Sequence, residues 1–360
     1  MKKSGGLNVA VVGATGAVGK QVFSILKQRG FPVKELRAFA SSRSVGKVLE
    51  WSGRTLTCEA LAKGCFAGID VVFFDASDEV SQEWVPEAAS AGAWVVDNSA
   101  AFRMASDISL MVPEVNGALL DERLARSNRG EKLDWRERVV AGPNCSTVQL
   151  VVPLQAIQAR WGLKRVVVSS YQSVSGAGAA AMDELSEQAA SVLDGKPAAP
   201  RIFTHQIAFN CIPQIGGFKG DGYTSEEKKI IDESRKILGL PGLRVTATAV
   251  RVPTFSCHAE SVNIETERPF EISEVRRALE EMPGIRVIDD PSKGRYPLNV
   301  TAPGDSVEQG TGNDPVYVGR IRRDDSLENG LNLWVVSDNL RKGAALNAIQ
   351  IGEVIARALL

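Results

Sequence analysis

The sequence predicts an α/β protein. A Rossmann-type parallel sheet domain at the N-terminus is completed by the C-terminal helix, and an α+β domain with a mixed sheet is inserted between them. Three observations predict this. First, a short apolar run ends in Gly13-Ala14-Thr15-Gly16-Ala17-Val18-Gly19 and a helical pattern follows, which is the strand–turn–helix context of a dinucleotide fold. Second, strands alternate with helices through about residue 96, as in a doubly wound sheet. Third, beyond about residue 140 the alternation loosens, and longer helices stand between β-rich runs.

Residues 7–12 form a short apolar run that reads as a buried parallel strand. Residues 16–29 read as a helix with Val18, Val22, Ile25 and Leu26 on one face. Strands are expected over 36–40, 69–74 and 93–96, with a helix over about 79–91. The charged, apolar-poor stretch 127–138 reads as an exposed loop. A helix then runs from Cys145 to about Arg160. Further helices are expected over 177–193 and 225–238, and strands over 165–170, 244–252 and 260–267. The last helix, about 340–360, is long and amphipathic and is expected to pack back on the first domain.

At 360 residues, with 44% hydrophobic and 24% charged residues, the chain is long enough for two ordinary cores. A formal net charge of -1 argues against a nucleic-acid or anionic-membrane partner. The longest apolar runs, such as 148–154, fall far short of the roughly 20 residues that span a bilayer. The basic start, Met1-Lys2-Lys3-Ser4-Gly5-Gly6, reads as a frayed end. The five cysteines are widely spaced, with no CxxC. No disulfide framework and no metal site is expected, and a reducing, cytoplasmic setting fits.

In the glycine loop, Gly13, Gly16 and Gly19 permit a tight turn and close backbone approach. With Thr15, Ala17 and Val18 they form a GxxGxxG variant of the dinucleotide fingerprint, whose helix N-terminus receives a pyrophosphate. A plain tight turn is the competing reading. The second strand runs into Ser41, Ser42 and Arg43 and carries no terminal Asp or Glu. Two hydroxyls and a guanidinium suit a 2′-phosphate, so NADP is favoured over NAD. A solvated surface Arg43 is the competing reading.

Cys145 sits in Pro143-Asn144-Cys145-Ser146-Thr147, at a loop-to-helix junction. A thiol there meets the positive end of the helix dipole, which favours the thiolate nucleophile. Cys257 is a rival thiol. Only His205 and His258 are available as bases near neutral pH, and His258 is the favoured partner of Cys145. Arg251 suits a bidentate carboxylate clamp. Because it stands seven residues before His258, the chain near Pro253 is expected to bend between them.

These segments resemble the aspartate-β-semialdehyde dehydrogenase family. The resemblance rests on the glycine loop, Asn98-Ser-Ala-Ala-Phe-Arg103, Pro143-Asn-Cys-Ser-Thr147, Tyr171-Gln-Ser-Val-Ser-Gly-Ala-Gly178, Glu226-Glu-Lys-Lys229, Arg251-Val-Pro253 with His258, and Asp338-Asn-Leu-Arg-Lys-Gly343. There are two departures: Gly142 stands where Asn is frequent, and Cys257 replaces a small residue. The resemblance implies an NADP-binding domain over 1–141 with 338–360, and a catalytic and dimerisation domain over 142–337. It implies NADPH-dependent reduction of aspartyl phosphate to aspartate semialdehyde and phosphate through a thioacyl enzyme, in lysine, threonine and methionine synthesis. It assigns Cys145 as nucleophile, His258 as acid/base and Gln172 as the group orienting the substrate. Arg251 is assigned to the α-carboxylate, Glu226 to the α-ammonium, and Arg103 with Lys229 to phosphate. Ser175, Gly176 and Asn339 are assigned to the nicotinamide side, and a homodimer is expected.

N-acetyl-γ-glutamyl-phosphate reductase shares this chemistry. Its typical Gly-Cys-Tyr-Pro-Thr motif is absent here, and its substrate has no free ammonium for Glu226. A non-enzymatic NADP-binding sensor would keep the loop and Arg43 but would not need Cys145, Gln172, Arg251 and His258 together.

Overall fold

The computed structural model describes residues 5–303, 305 and 307–360; residues 1–4, the larger part of the expected frayed end, lie outside them. The chain forms two compact units, Met1–Asn144 with Ala344–Leu360, and Cys145–Gly343. The borders expected from the sequence are 141 and 337. The Gly142 amide bonds back to the Asp97 carbonyl at 2.7 Å, and Arg341 and Gly343 both donate to the Asp338 carbonyl.

In the first unit, β1 (Leu7–Val12) leads to α1 (Ala17–Gln28), β2 (Val33–Phe39) and the hairpin β3 (Val48–Trp51) and β4 (Arg54–Thr57). Next come β5 (Val71–Phe74), α2 (Asp78–Ser90), β6 (Trp94–Asp97), β7 (Ser109–Leu110), α3 (Pro113–Asn116), α4 (Asp121–Asn128) and β8 (Val139–Ala141). The six-stranded sheet runs β2-β1-β5-β6-β8-β7, with every pair parallel. Strands β5 and β6 are buried throughout, as expected of a sheet covered on both faces. The C-terminal helix, Leu346–Leu359, belongs to this unit as expected. Its Leu346, Ile349 and Ile355 share a core with Val9 and Val11 of β1 and Val22, Ile25 and Leu26 of α1. It starts later than about 340 because Arg341–Ala345 form a π-helical turn ahead of it.

The stretch 127–138 is more ordered than the expected loop. Trp135–Arg138 form a 3₁₀ turn capped reciprocally by Asp134 and Glu137. Trp135 packs edge-on against Phe102 at 6.0 Å, Arg126 pairs with Glu137 and Glu131, and Leu133 is buried. Charge density suggested a solvated strap, but reciprocal ion pairs consume that charge locally.

In the second unit, α5 (Cys145–Trp161), β9 (Leu163–Gln172), α6 (Ala179–Leu193) and α7 (Ser225–Leu238) precede β10 (Arg244–Arg251) and β11 (His258–Thr266). They are followed by α8 (Ile272–Glu281), β12 (Ile285–Val287), β13 (Val316–Asp324) and β14 (Gly330–Ser337). The sheet order is β10-β9-β11-β14-β13-β12. The β9–β10 and β12–β13 pairs are parallel, and β11 is antiparallel to both neighbours, so the sheet is mixed. Helix α5 packs on β9, β11, β14, α7 and α8. It is buried on nearly all sides, as its almost uninterrupted apolar run requires.

Candidate active site

One row of residues crosses the second sheet at the end where β9 and β10 finish and β11 begins. Arg251 of β10 is in register with Gln172 of β9, Gln172 with His258 of β11, and His258 with Ser337 of β14. All four are buried. The bend expected between Arg251 and His258 is a full crossover: the two lie on different strands with β9 between them. Cys145 opens α5 above this row, and its Sγ lies 3.3 Å from His258 Nε2. The other histidine, His205, is exposed.

The imidazole is held from both sides. Its Nδ1 accepts from the Ser173 amide at 3.1 Å and lies 3.2 Å from the Ser173 hydroxyl. A backbone donor at Nδ1 leaves the proton of the neutral ring on Nε2, facing the sulfur. Burial, and then the Arg251 charge, push the His258 pKa down to about 3. The ring is therefore neutral across the physiological range. Ser173, Ser175 and Asn339 extend the network, with both hydroxyls 3.2 Å from Asn339 Oδ1 and the Asn339 amide 3.0 Å from Ser175 Oγ.

Arg251 is fixed through Nη1 to the Ser173 carbonyl at 2.6 Å. Burial draws its pKa down from the ordinary value, opposed by attraction to Cys145 and then Glu226. One side of Arg251 lines a cavity of about 270 Å³ together with Ala177, Phe203, Ile212, Gln214 and Gly216, a volume suited to a small polar metabolite. Gln172 donates from Nε2 to Ser170 Oγ at 3.3 Å. Glu226 stands in the first turn of α7, where a Thr224/Glu227 capping box sets the helix start. Glu227 also accepts from the Ala249 amide at 3.0 Å, pinning α7 to β10. Lys229 Nζ lies 3.5 Å from Glu226 Oε2, on the shared helix face that their spacing predicts.

The rival thiol is disarmed by geometry. Cys257 has φ +66°, in the left-handed region. Its side chain packs with Ala259, Tyr317 and Val336, and burial pushes its pKa up to about 12. All five cysteines are free thiols. Among the described residues, no three His, Cys, Asp or Glu side chains converge as metal ligands would, and no helix is long and apolar enough to cross a membrane.

Sequence reasoning missed Ser173 and Gly343 as site residues. Ser173 directly follows Gln172 in a segment already singled out, so its position was the available signal. Gly343 lies against Cys145: a Cβ there would lie 3.0 Å from Cys145 Cβ. Gly176, assigned to the cofactor by resemblance, meets the row of Arg251 and His258. A Cβ at 176 would stand 3.0 Å from Arg251 Nη1 and 3.3 Å from His258 Nε2. Gly176→Ala is therefore expected to lower kcat/KM by about tenfold to a hundredfold through displaced side chains, with little change in thermal stability. Steady-state kinetics beside a melting curve tests this, and wild-type kinetics would contradict it.

In the first unit, Gly13 has φ +86°, and a Cβ there would fall 2.0 Å from the Asp75 carbonyl. Only glycine fits. Gly19 lets α1 approach the loop, since its Cβ would lie 2.3 Å from the Gly13 carbonyl. The Gly16 N-cap supplies no side-chain cap, so the opening amides of α1, from Ala17 and Val18 onward, are not capped by the N-cap side chain and suit an anion. Thr15 lies within this loop, at the point where β1, flanked by β2 and β5, makes a topological switch. These residues fit a dinucleotide. Ser41, Ser42 and Arg43 are exposed just past β2. Arg103 is buried and donates to the Asn98 carbonyl at 2.7 Å. The Gly142 departure has a steric reason: a Cβ there would meet Asn98 Oδ1 at 2.4 Å.

Residues 8–123 match the family described as semialdehyde dehydrogenase, NAD binding domain, and residues 154–342 match its dimerisation domain. Aspartate-semialdehyde dehydrogenase of Aquifex aeolicus is 46% identical over 98% of both chains. The corresponding protein of Legionella pneumophila is 44% identical over 98% of this chain and 97% of its own. The crystal structure of aspartate semialdehyde dehydrogenase II from Vibrio cholerae complexed with ASA superposes with a TM-score of 0.89 at 43% identity, covering 98% of this chain and 99% of that one.

Proposed function

The chain belongs to the aspartate-semialdehyde dehydrogenase family, and from that premise we propose that it reduces L-4-aspartyl phosphate to L-aspartate 4-semialdehyde and phosphate with NADPH. The observation that carries the reading is the partly buried Cys145–His258 contact at 3.3 Å with Arg251 one strand beyond Gln172. A thiol, a neutral imidazole and a fixed guanidinium beside a small cavity suit covalent chemistry on a carboxylated acyl group. The Aquifex and Legionella relatives carry the aspartate-semialdehyde name over their full lengths, and nothing in the site favours an N-acetylated glutamyl substrate. The family reading also supports a homodimer and a role in aspartate-family amino-acid synthesis.

In this mechanism Cys145 loses its thiol proton to solvent and attacks the acyl carbon as thiolate, the acyl–phosphate C–O bond breaks as phosphate leaves, and a thioester remains on Sγ. His258 Nε2–H donates to the sulfur and then to the oxyanion, stabilising charge in a buried site. Arg251 holds the α-carboxylate and Glu226 the α-ammonium, while Gln172 orients the acyl group. Lys229 and Arg103 are assigned to phosphate by charge and by family resemblance. When bound, the nicotinamide supplies the hydride that reduces the thioester. The glycine loop from Gly13 to Gly19 would hold its pyrophosphate, and Ser175, Gly176 and Asn339 its nicotinamide side.

Phosphate-dependent reduction of NADP by aspartate semialdehyde tests the activity in the reverse direction. No turnover with this substrate, beside turnover with an N-acetylglutamate semialdehyde, would reassign the acyl group. The 2′-phosphate reading predicts that Arg43→Ala raises KM for NADP about tenfold and leaves KM for NAD unchanged. Equal effects on both cofactors would return Arg43 to the solvated surface.

A further inference from the structure

A second buried polar pair stacks behind the catalytic one. Gln149 follows Cys145 by four residues on α5, one helical turn and the same face. Glu260 follows His258 by two residues on β11, again on the same face. Both side chains are fully buried. Neither the Glu260 carboxyl oxygens nor the Gln149 amide nitrogen and oxygen have an aligned hydrogen-bond partner.

The surroundings leave these two groups to each other. Across the sheet, Glu260 is in register with Ser170 of β9 and Val335 of β14, and neither is charged. Ser170 accepts from Gln172, and its hydroxyl makes no hydrogen bond to Glu260. Burial pushes the Glu260 pKa well above the ordinary carboxylate range, and the Gln149 amide, lying against it, opposes that shift. No charged group contributes to the shift. Along their own elements, the titratable side chains on the same faces are His258, two residues before Glu260 on β11, and Cys145, four before Gln149 on α5.

We propose that Gln149 and Glu260 form a positioning pair that ties the first turns of α5 to the start of β11 and so holds Cys145 Sγ against His258 Nε2. The protonated carboxyl donates its O–H to Gln149 Oε1, and Gln149 Nε2 donates to the other carboxyl oxygen. This two-bond ring gives all four orphaned atoms a partner. Ionisation removes the O–H donor and sets a carboxylate oxygen against the amide oxygen, so the ring opens as pH rises.

The proposal rests on the Cys145 reading above, and its test separates the two. Wild type, Glu260→Gln, Glu260→Leu, Gln149→Leu and Cys145→Ala are compared for kcat and KM between pH 6 and 10, and for the rate of Cys145 alkylation by iodoacetamide. Wild type is expected to lose kcat at the alkaline end. Glu260→Gln keeps an amide pair that cannot ionise, so it should stay within about threefold of wild type at neutral pH and lack that alkaline loss. The two leucine variants should lose about tenfold to a hundredfold in kcat with KM nearly unchanged, and alkylate more slowly. An alkaline loss that persists unchanged in Glu260→Gln overturns the proposal, as do wild-type kcat values in the leucine variants. If the leucine variants do not fold, the Glu260→Gln profile decides alone. An inactive Cys145→Ala beside an unaltered Glu260→Gln limb overturns the pair and leaves the reaction reading standing.

Discussion

Cys145→Ala should abolish turnover, with kcat falling about 10⁴-fold or more, because no other group can carry the acyl intermediate. Cys257 cannot substitute: its thiol is buried against Tyr317 and Val336, and its pKa is pushed up to about 12. Substrate binding should survive the substitution, since Arg251 is anchored through the Ser173 carbonyl and not through the sulfur. Single-turnover kinetics with aspartate semialdehyde and NADP measures the chemical step, and calorimetry measures binding. Residual turnover within a hundredfold of wild type would sink the covalent mechanism. Rapid neutral-pH alkylation at Cys145, slowed by aspartyl phosphate analogues, is the expected companion result. Slow labelling without protection would return weight to a cofactor-binding sensor.

His258→Ala should cost about 10² to 10⁴-fold in kcat. His258→Gln should recover part of that, because an amide can still donate near the position of Nε2. With the ring held neutral down to about pH 3, the kcat profile should show no limb near the ordinary imidazole value of about 6.5. The same burial predicts a stability effect of definite sign. The native pKa is depressed, so the contribution is fully present above about pH 6.5 and is lost as pH falls toward about 3. At pH 5 the loss is about 2 kcal/mol. Denaturant melts at pH 7 and pH 5 should therefore differ more for wild type than for His258→Gln. Equal differences would mean that the imidazole charges freely in the folded protein.

Much of this site could be read in the chain because its parts are local. The glycine loop, the thiol at a helix start and the capping box ahead of Glu226 each depend on a few neighbouring residues. So do the helix at 225–238 and the alternating strands of the first unit. The unforeseen elements were the β3–β4 hairpin, β7, α3, α4, β8, α8, β12, β13 and β14, together with the order within 127–138. Val316–Asp324 and Gly330–Ser337 become strands because β11 offers an antiparallel edge to β14, which in turn offers one to β13. The Trp135 turn depends on Phe102 and Arg126, which are distant in sequence or on another element.

Residue types and their short spacings singled out the candidate groups: one thiol at a helix start, one favoured histidine, one arginine, one glycine loop. Strand pairing decided how they meet. Register alone brings Arg251, Gln172, His258 and Ser337 into a single row, and no periodicity within one segment encodes a register between three. The left-handed backbone at Cys257 and the Ser173 amide at Nδ1 then set the buried Cys257 thiol apart from Cys145 and fix the ring proton. Their consequences, burial and orientation, arise only when segments far apart in the chain exclude water together.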